Sequence, residues 1–248
     1  MTGPRVEERP SPNHGERLAA PVDILLLHYT GMPDDDQALA WLCDPRSQVS
    51  AHYFVHVDGR VLRLVPEHRR AWHAGASRWA DTDDVNARSI GIEIANAGHP
   101  GALPDYPDAQ IDALTALCAG VMGRHPIPPH RVLGHSDVAP GRKLDPGERF
   151  PWQRLAAAGI GHWVEPAEIG GGRFLQRGDA DSRSGGPVEA LQSMLALYGY
   201  GVEITGGFDE RTADVVAAFQ RHFRPARVDG VADRSTIDTL RRLLAALP

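Results

Sequence analysis

Two histidines and an aspartate occupy positions typical of the ligands of a catalytic metal ion. His28 follows four aliphatic residues in VDILLLHY, which predicts an imidazole at the C-terminal tip of a buried strand, and sites form at strand ends in open sheets. His135 and Asp145 lie ten residues apart in GHSDVAPGRKLDPG, a loop fixed by its prolines and glycines. Two neutral histidines and one carboxylate, with water in the fourth position, form a catalytic zinc site. We therefore predict Zn²⁺ on these three side chains. The alternative for His28, taken alone, is a core histidine bonded to a backbone carbonyl.

A further carboxylate, Glu93, interrupts the alternating apolar strand SIGIEIAN between Gly91 and Ala95. Two interpretations are open: the side chain is half-exposed at a sheet surface, or it lines a cleft left open by its small neighbours. A partly buried carboxylate tends to have a raised pKa, which suits a general base near neutral pH. Glu93 is therefore a candidate proton acceptor.

The other histidines are less suitable candidates for metal ligands. His52 and His56 form an HxxxH pair, but the segment has the pattern of a strand. Four residues of strand separate the two side chains by about 13 Å, so they cannot share one ion. His73, in AWHAG, is predicted to contact substrate or to be structural. Solvated surface roles are expected for four others that lie beside proline or glycine in loop-like sequence: His14, His99, His125 and His130.

The elements that must position these residues fall into two groups. Strands are predicted at 22–29 and 89–96, a hairpin around Asp58-Gly59, and a helix at 107–124. This pattern predicts an α/β mixed-sheet domain over residues 1–175. A Gly-, Ser- and Asp-rich linker follows at 176–187. Three helical patterns at 188–248 then predict a small all-α domain, large enough to fold alone.

Composition excludes several classes of protein. The 248 residues are 42% hydrophobic with a net charge of −6, which argues against nucleic-acid binding. No run reaches the roughly 20 apolar residues of a membrane span. Cys43 and Cys118 are too few for a disulfide framework and are predicted to be free, buried thiols. The polar N-terminus shows no signal peptide, which predicts a cytoplasmic protein; the alternative is the periplasm or cell envelope, had an export signal been removed.

Six stretches in about the first 155 residues resemble the zinc amidases that cleave N-acetylmuramoyl-L-alanine, the family of AmpD-like and AmiD-like enzymes. In the family's order they are SPNHGER, LLLHYTGM, VSAHYFVHVDGRVLRLV, RAWHAG, NARSIGIEIAN and GHSDVAPGRKLDPGERFPW. The resemblance implies that His28, His135 and Asp145 hold the zinc ion. It also implies that Glu93 is the catalytic carboxylate and Lys143 the cation near the scissile carbonyl.

The resemblance further implies a reaction and a substrate. Glu93 would accept a proton from the attacking water, whose pKa zinc lowers toward about 7. Lys143 would help stabilise the oxyanion. The substrate would be peptidoglycan or a muropeptide, cut between N-acetylmuramic acid, ordinary or 1,6-anhydro, and L-alanine. Substrate contacts are predicted for Tyr29, His52, Trp72, His73 and Asn96.

The C-terminal part resembles the peptidoglycan-binding domain of wall hydrolases through VEALQSMLALYGYG, GGFDERTADVVAAFQRHF and VDGVADRSTIDTLRRLL. It is expected to raise local substrate concentration without touching the chemistry. The alternative is a helical oligomerisation or lid module. For the whole chain, the competing interpretations are a non-catalytic peptidoglycan-recognition protein and a zinc peptidase that cuts within the stem peptide.

Overall fold

The computed structural model describes residues 4–17 and 21–247. Its strands are β1 (Val6–Glu8), β2 (His14–Glu16), β3 (Ile24–Tyr29), β4 (Tyr53–Val55), β5 (Val61–Arg63), β6 (Arg69–Ala71), β7 (Ser89–Ile94) and β8 (Val132–Gly134). Its α-helices are α1 (Asp35–Leu42), α2 (Val85–Arg88), α3 (Asp108–Arg124), α4 (His135–Val138), α5 (Trp152–Ala157), α6 (Pro187–Tyr198), α7 (Glu210–Phe223) and α8 (Arg234–Ala245).

Six strands form one mixed sheet in the order β1-β5-β4-β7-β3-β8. The central strands β3 and β7 are parallel to each other, and each has a second parallel neighbour. Strands β4 and β5 form the hairpin predicted around Asp58-Gly59. Strand β3 is buried on both faces, which explains its continuous apolar run. The predicted α/β mixed sheet is confirmed.

One face of the sheet packs against α3 and forms a closed apolar core. Ile90, Ile92 and Ile94 of β7 point to this face, as their alternation predicts. Leu25 and Leu27 of β3 join them. The helix contributes Ile111, Leu114, Cys118 and Val121. Because alternate residues of a strand point to opposite faces, the remaining side chains of β3 and β7 are directed to the other face.

That other face carries two apolar clusters with polar residues between them. Ile24 and Leu26 of β3 pack into a cluster with the C-terminal helices, whereas Phe54 of β4 packs with α1. The register places Glu93 of β7 beside both Phe54 and His28. The two polar side chains are therefore held in the sheet by apolar packing on either side.

The C-terminal helices α6, α7 and α8 confirm the predicted helical unit, and they share a core with the sheet. Leu195, Phe219 and Leu240, one from each helix, belong to the same buried cluster as Ile24 and Leu26. The unit that the sequence predicts to be large enough to fold alone therefore also covers part of the sheet, because this sheet face would expose apolar surface without these helices.

The segment predicted as a linker, 176–187, is folded against the helical unit. The carboxylate of Asp181 accepts hydrogen bonds from the backbone N–H groups of Val188 (3.1 Å) and Glu189 (2.8 Å) in the first turn of α6. Ala180 pairs with Gly207 in an isolated bridge. The domain boundaries at 175 and 188 stay predictions, but this connection is ordered.

Both cysteines are free thiols, as predicted. Cys118 is buried in the α3 core, whereas Cys43 is only half-buried, which corrects the prediction that both are buried. Within residues 4–17 and 21–247, no helix combines the length and the apolarity needed to cross a bilayer.

Candidate metal centre and active site

Three side chains from separate segments meet at the end of β3. His28 comes from that strand, His135 is the first residue of α4, and Asp145 follows in the next loop. His28 Nδ1 lies 2.9 Å from His135 Nδ1 and 3.1 Å from Asp145 Oδ2, and the latter two atoms are 3.0 Å apart. Bonds of about 2.0–2.1 Å in a tetrahedral zinc site place ligand atoms about 3.3 Å apart. The triangle therefore has nearly the dimensions of three zinc ligands.

A chain of hydrogen bonds fixes the orientation of the His28 ring. His28 Nε2 lies 3.0 Å from His73 Nδ1, and His73 Nε2 lies 3.2 Å from Ser89 Oγ. Because Ser89 donates its only hydroxyl proton to Val85 O (2.6 Å), each Nε2 must carry a proton and donate along the chain. His28 Nδ1 is then free to bind a metal. The His73 ring also fills the space beside Gly91.

The second histidine is oriented in the same way. His135 Nε2 lies 3.0 Å from Ala74 O, which also accepts from Arg142 Nη2 at 2.6 Å. A proton on Nε2 satisfies this contact and leaves Nδ1 of His135 as a lone-pair donor. Metal-ligating histidines commonly donate their other N–H to a carbonyl or a carboxylate. Both rings therefore have the tautomer that a metal site needs.

The charges around the cluster also fit a cation. Burial, and next the neighbouring His135, lowers the pKa of His28 to about 4, so its ring is neutral at pH 7. Burial raises the pKa of Asp145, but both histidines outweigh this effect and hold that pKa well below its ordinary value. The Nδ1 atoms of both rings, left without a proton by the Nε2 contacts described above, and a carboxylate oxygen thus direct lone pairs at one another. This arrangement is unfavourable unless a cation lies between them. His28, His135 and Asp145 can therefore bind a metal ion.

Glu93 adjoins this cluster. It is paired with His28 in the β3–β7 ladder, and among the described residues its Oε2, although shielded from solvent, has no hydrogen-bond partner. Burial, and next the charge of Asp145, raises the pKa of Glu93 well above its ordinary value, whereas Lys143 opposes the shift. A carboxyl group with a raised pKa can take up and return a proton near neutral pH. The geometry thus suits the proton acceptor predicted from the sequence.

A cavity of about 600 Å³ opens onto these groups. Glu93, Lys143 and the metal-site residues His135 and Asp145 line it. Three of the residues predicted to contact substrate, Tyr29, Trp72 and His73, also line it. Their substrate contacts stay predictions, but their position permits them.

The other two predicted contacts, His52 and Asn96, lie outside the cavity wall. His52 Nδ1 accepts from the backbone N–H of Gly91 at 2.9 Å. Asn96 donates to Pro104 O at 3.0 Å and accepts from the backbone N–H of Gly98 at 2.8 Å. Both side chains are buried and hold neighbouring backbone in place. In the structure, His52 and Asn96 therefore stabilise neighbouring backbone and do not face the cavity.

The sequence analysis does not predict the residues that form one wall of the cavity. Trp41 and Leu42 of α1, and Arg142 beside Lys143, line it. Trp41 is a large apolar side chain that is 49% exposed. Nothing in the sequence of its helix, DDDQALAWLC, indicates which face of α1 borders a site.

These features define a class of protein. A buried two-histidine, one-aspartate cluster lies beside a carboxyl group with a raised pKa and a lysine, in a cavity large enough for a ligand. That set of groups is typical of a hydrolase that uses a bound metal ion.

Comparison with known proteins specifies the family. The N-acetylmuramoyl-L-alanine amidase profile matches residues 18–148, and a peptidoglycan-binding domain profile matches residues 184–240. N-acetylmuramoyl-L-alanine amidase AmiD of Escherichia coli is 40% identical over 231 residues, which cover 87% of this chain and 79% of the relative. The 1,6-anhydro-N-acetylmuramyl-L-alanine amidase AmpD of Enterobacter cloacae is 34% identical and matches 60% of this chain and 87% of its own.

Solved structures agree. E. coli AmiD in complex with anhydro-N-acetylmuramic acid-L-Ala-D-γ-Glu-L-Lys has a TM-score of 0.76 at 36% identity, covering 96% of this chain and 92% of that one. AmpDh3 of Pseudomonas aeruginosa in complex with anhydromuramic pentapeptide has a TM-score of 0.77 at 35% identity, covering 97% and 96%. The chain belongs to the N-acetylmuramoyl-L-alanine amidase family, and the resemblance found in the sequence is confirmed.

Proposed function

We propose that this chain is a zinc-dependent amidase that hydrolyses the bond between N-acetylmuramic acid, ordinary or 1,6-anhydro, and L-alanine of the stem peptide. The observation that carries the proposal is the cluster of His28, His135 and Asp145 next to Glu93. His135, Asp145 and Glu93 line one cavity. The solved complexes of AmiD and AmpDh3 with anhydromuramyl peptides support the choice of substrate.

The metal ligands are a set that zinc prefers. Imidazole nitrogen and carboxylate oxygen suit Zn²⁺, and three protein ligands leave a position open, as in catalytic sites. A zinc ion bound there supplies a Lewis acid that polarises a carbonyl and lowers the pKa of water to about 7. The residues of the chain contribute by setting the tautomers of both histidines and by shielding the cluster from bulk solvent.

Glu93 moves the proton in this proposal. Its raised pKa and its unpartnered Oε2 suit a group that accepts a proton from the attacking water. The same carboxylic acid then protonates the departing L-alanine nitrogen, which regenerates the carboxylate. Such a positioned acid–base group typically contributes about 10²–10⁴-fold to a rate.

Lys143 acts through its charge. Lys143, two residues before Asp145, lines the cavity, and its charge opposes the pKa shift of Glu93. Negative charge on the oxygen of the attacked carbonyl would be stabilised by this cation. The C-terminal helical unit, which matches a peptidoglycan-binding profile, is proposed to bind the wall polymer.

The proposal is tested by incubating the purified protein with muropeptides, with chelator and with zinc restored, and identifying the products by mass spectrometry. We expect release of intact peptide that begins with L-alanine, lost with chelator and regained with zinc. Shortened peptides would identify a peptidase. Binding without cleavage by the zinc-loaded protein would identify a recognition protein.

A further inference from the structure

We call residues 134–145, which include His135 and Asp145, the metal loop. A buried carboxylate connects this loop to the C-terminal helical unit. Asp137 lies two residues after the ligand His135 and is fully shielded from solvent. Its Oδ1 accepts from the Tyr200 hydroxyl at 2.7 Å, and its Oδ2 accepts from His222 Nδ1 at 2.7 Å and from the backbone N–H of Gly134 at 2.8 Å. The backbone donor belongs to the amidase unit, and the two side-chain donors belong to the C-terminal helical unit. A buried charge needs such partners, so the helical unit completes the environment of this loop.

Helix α7 also contacts the loop further along. Arg211 Nη1 donates to Pro140 O at 3.0 Å. Gly141 has a φ of 77°, and a Cβ there would collide with the carboxylate of Asp214. Arg211 and Asp214 lie three residues apart on α7, so one face of that helix follows the backbone that leads from Asp137 to Lys143. The metal loop therefore rests on α7 over several residues.

The two side-chain donors to Asp137 are themselves fixed by aromatic packing. The His222 ring stacks on Trp152 of α5 with ring centroids 3.7 Å apart. Tyr200 packs edge-on against Trp79 at 5.0 Å. Burial, and next the charge of Asp137, raises the pKa of Tyr200 well above its ordinary value, so its hydroxyl keeps its proton and donates. Neither donor can move away from the carboxylate without losing this packing.

We propose that the C-terminal helical unit positions the metal loop through Asp137, with Tyr200 and His222 as positioning residues, besides any part it has in binding the wall. The inference rests on the proposed function, because it assumes that His135 and Asp145 hold the metal. The proposal differs from the expectation that the helical unit has no effect on the catalytic step.

Two tyrosines of the helical unit provide a matched test. Tyr198 and Tyr200 are both buried, both pack edge-on against Trp79, and each hydroxyl makes one hydrogen bond. Only the Tyr200 hydroxyl bonds to Asp137; that of Tyr198 bonds to His162. Tyr200→Phe and Tyr198→Phe therefore remove equivalent groups that differ in their connection to the metal loop.

We expect Tyr200→Phe to lower kcat on a small soluble muropeptide about tenfold with KM unchanged, the lower end of the 10–100-fold losses seen for outer partners of metal ligands. Zinc should also be lost faster to a competing chelator, and the visible spectrum of the cobalt-substituted protein should change. Tyr198→Phe should match the unaltered chain in all three measurements. Both variants should bind sacculi equally, because neither change is made on the surface.

Substitutions of His222 separate the donor from the ring. His222→Asn retains an N–H near the position of Nδ1, whereas His222→Phe retains a ring that can stack on Trp152 but has no donor. If His222 positions Asp137 through the hydrogen bond, the kcat of His222→Asn should be higher than that of His222→Phe. The cobalt spectrum of His222→Asn should also be closer to that of the unaltered chain. The thermal midpoint of each variant is measured as well, and assays are made far below it.

Equal kcat, zinc retention and cobalt spectra for Tyr200→Phe and Tyr198→Phe would overturn the inference, and so would a loss seen only as a lower thermal midpoint. The absence of turnover in the unaltered chain would contradict the proposed function alone, because zinc retention and the cobalt spectrum still test the bracing.

Discussion

The three proposed metal ligands are supported in two different ways. His28 belongs to a central strand with parallel neighbours on both sides, and its ring is oriented by a chain of side chains within the amidase unit. His135 begins the four-residue helix α4, and Asp145 lies in the loop after it. This segment rests on Tyr200 and on His222 of α7, which lie more than fifty residues further along the chain. The strand side is rigid through local pairing, whereas the loop side depends on a second unit.

This difference shows what kind of packing each half of a site requires. A strand gains its rigidity from ladder hydrogen bonds and from side chains buried on both faces. A loop rich in glycine and proline has no ladder, so its rigidity must come from contacts with other elements. The metal loop obtains them from a buried carboxylate and from the face of α7.

The largest effect is expected from removing a ligand on the loop side. Asp145→Ala deletes the charged ligand, so turnover should fall to the background rate and zinc should be nearly absent from the purified protein. Metal analysis and the muropeptide assay measure both losses. Asp105→Ala is a suitable control, because Asp105 is an exposed aspartate of the same unit. Retention of zinc and of near-full turnover by Asp145→Ala would contradict the ligand assignment.

A smaller loss is expected on the strand side, at the proton acceptor. Glu93→Gln keeps the size of the side chain but removes its basicity, so kcat should fall by about 10²–10⁴-fold. Zinc content and the thermal midpoint should stay close to those of the unaltered chain, because Glu93 is not a ligand in this proposal. A variant that loses zinc together with turnover would instead show that Glu93 belongs to the metal site.

The strand half of this site could be predicted from the sequence because local pattern determines it. The run ILLLHY fixes a buried strand with His28 near its end, and the alternation in SIGIEIAN places Glu93 on the face opposite Ile90, Ile92 and Ile94. Parallel pairing of the two strands then brings both polar side chains together.

The support of the loop half could not be predicted in this way. Asp137, Tyr200 and His222 come from three separate segments, and nothing in their local sequence indicates that they meet. Such contacts depend on how the helical unit packs on the sheet. His52 and Asn96 were assigned to the substrate although both are buried and bonded to backbone. Their sequence motifs do not say whether a side chain faces the cavity.

A moderate effect is expected from the hydrogen-bond chain on the strand side. Ser89→Ala leaves His73 Nε2 without its acceptor, which should weaken zinc affinity about tenfold. Competition with a chromophoric chelator measures the affinity. Ser235→Ala is a matched control, because Ser235 is equally buried and its hydroxyl donates to Ala167 O. If both variants held zinc equally, the chain through His73 would have no part in orienting His28.

The smallest effect concerns stability against pH. Burial, and next the charge of Arg17, lowers the pKa of His52 from 6.5 to about 3. The unfolded chain takes up a proton below about pH 6.5, whereas the folded ring stays neutral until about pH 3. The contribution of neutral His52 to the free energy of unfolding is therefore complete above pH 6.5. It is lost as the pH falls from 6.5 to 3.

The slope due to this one group is at most about 1.4 kcal/mol per pH unit. His52→Gln removes the titrating ring, while its amide can still donate to Arg69 O, so urea unfolding between pH 4 and 7 should show a flatter dependence by up to that amount. The ligand His28 is present in both proteins and cancels in the comparison. His68→Gln, which makes the same exchange at an exposed histidine, is the control. Parallel curves for His52→Gln and the unaltered chain would mean that the folded protein accommodates a charged ring beside β7, so the strand side would be less rigid than its pairing indicates.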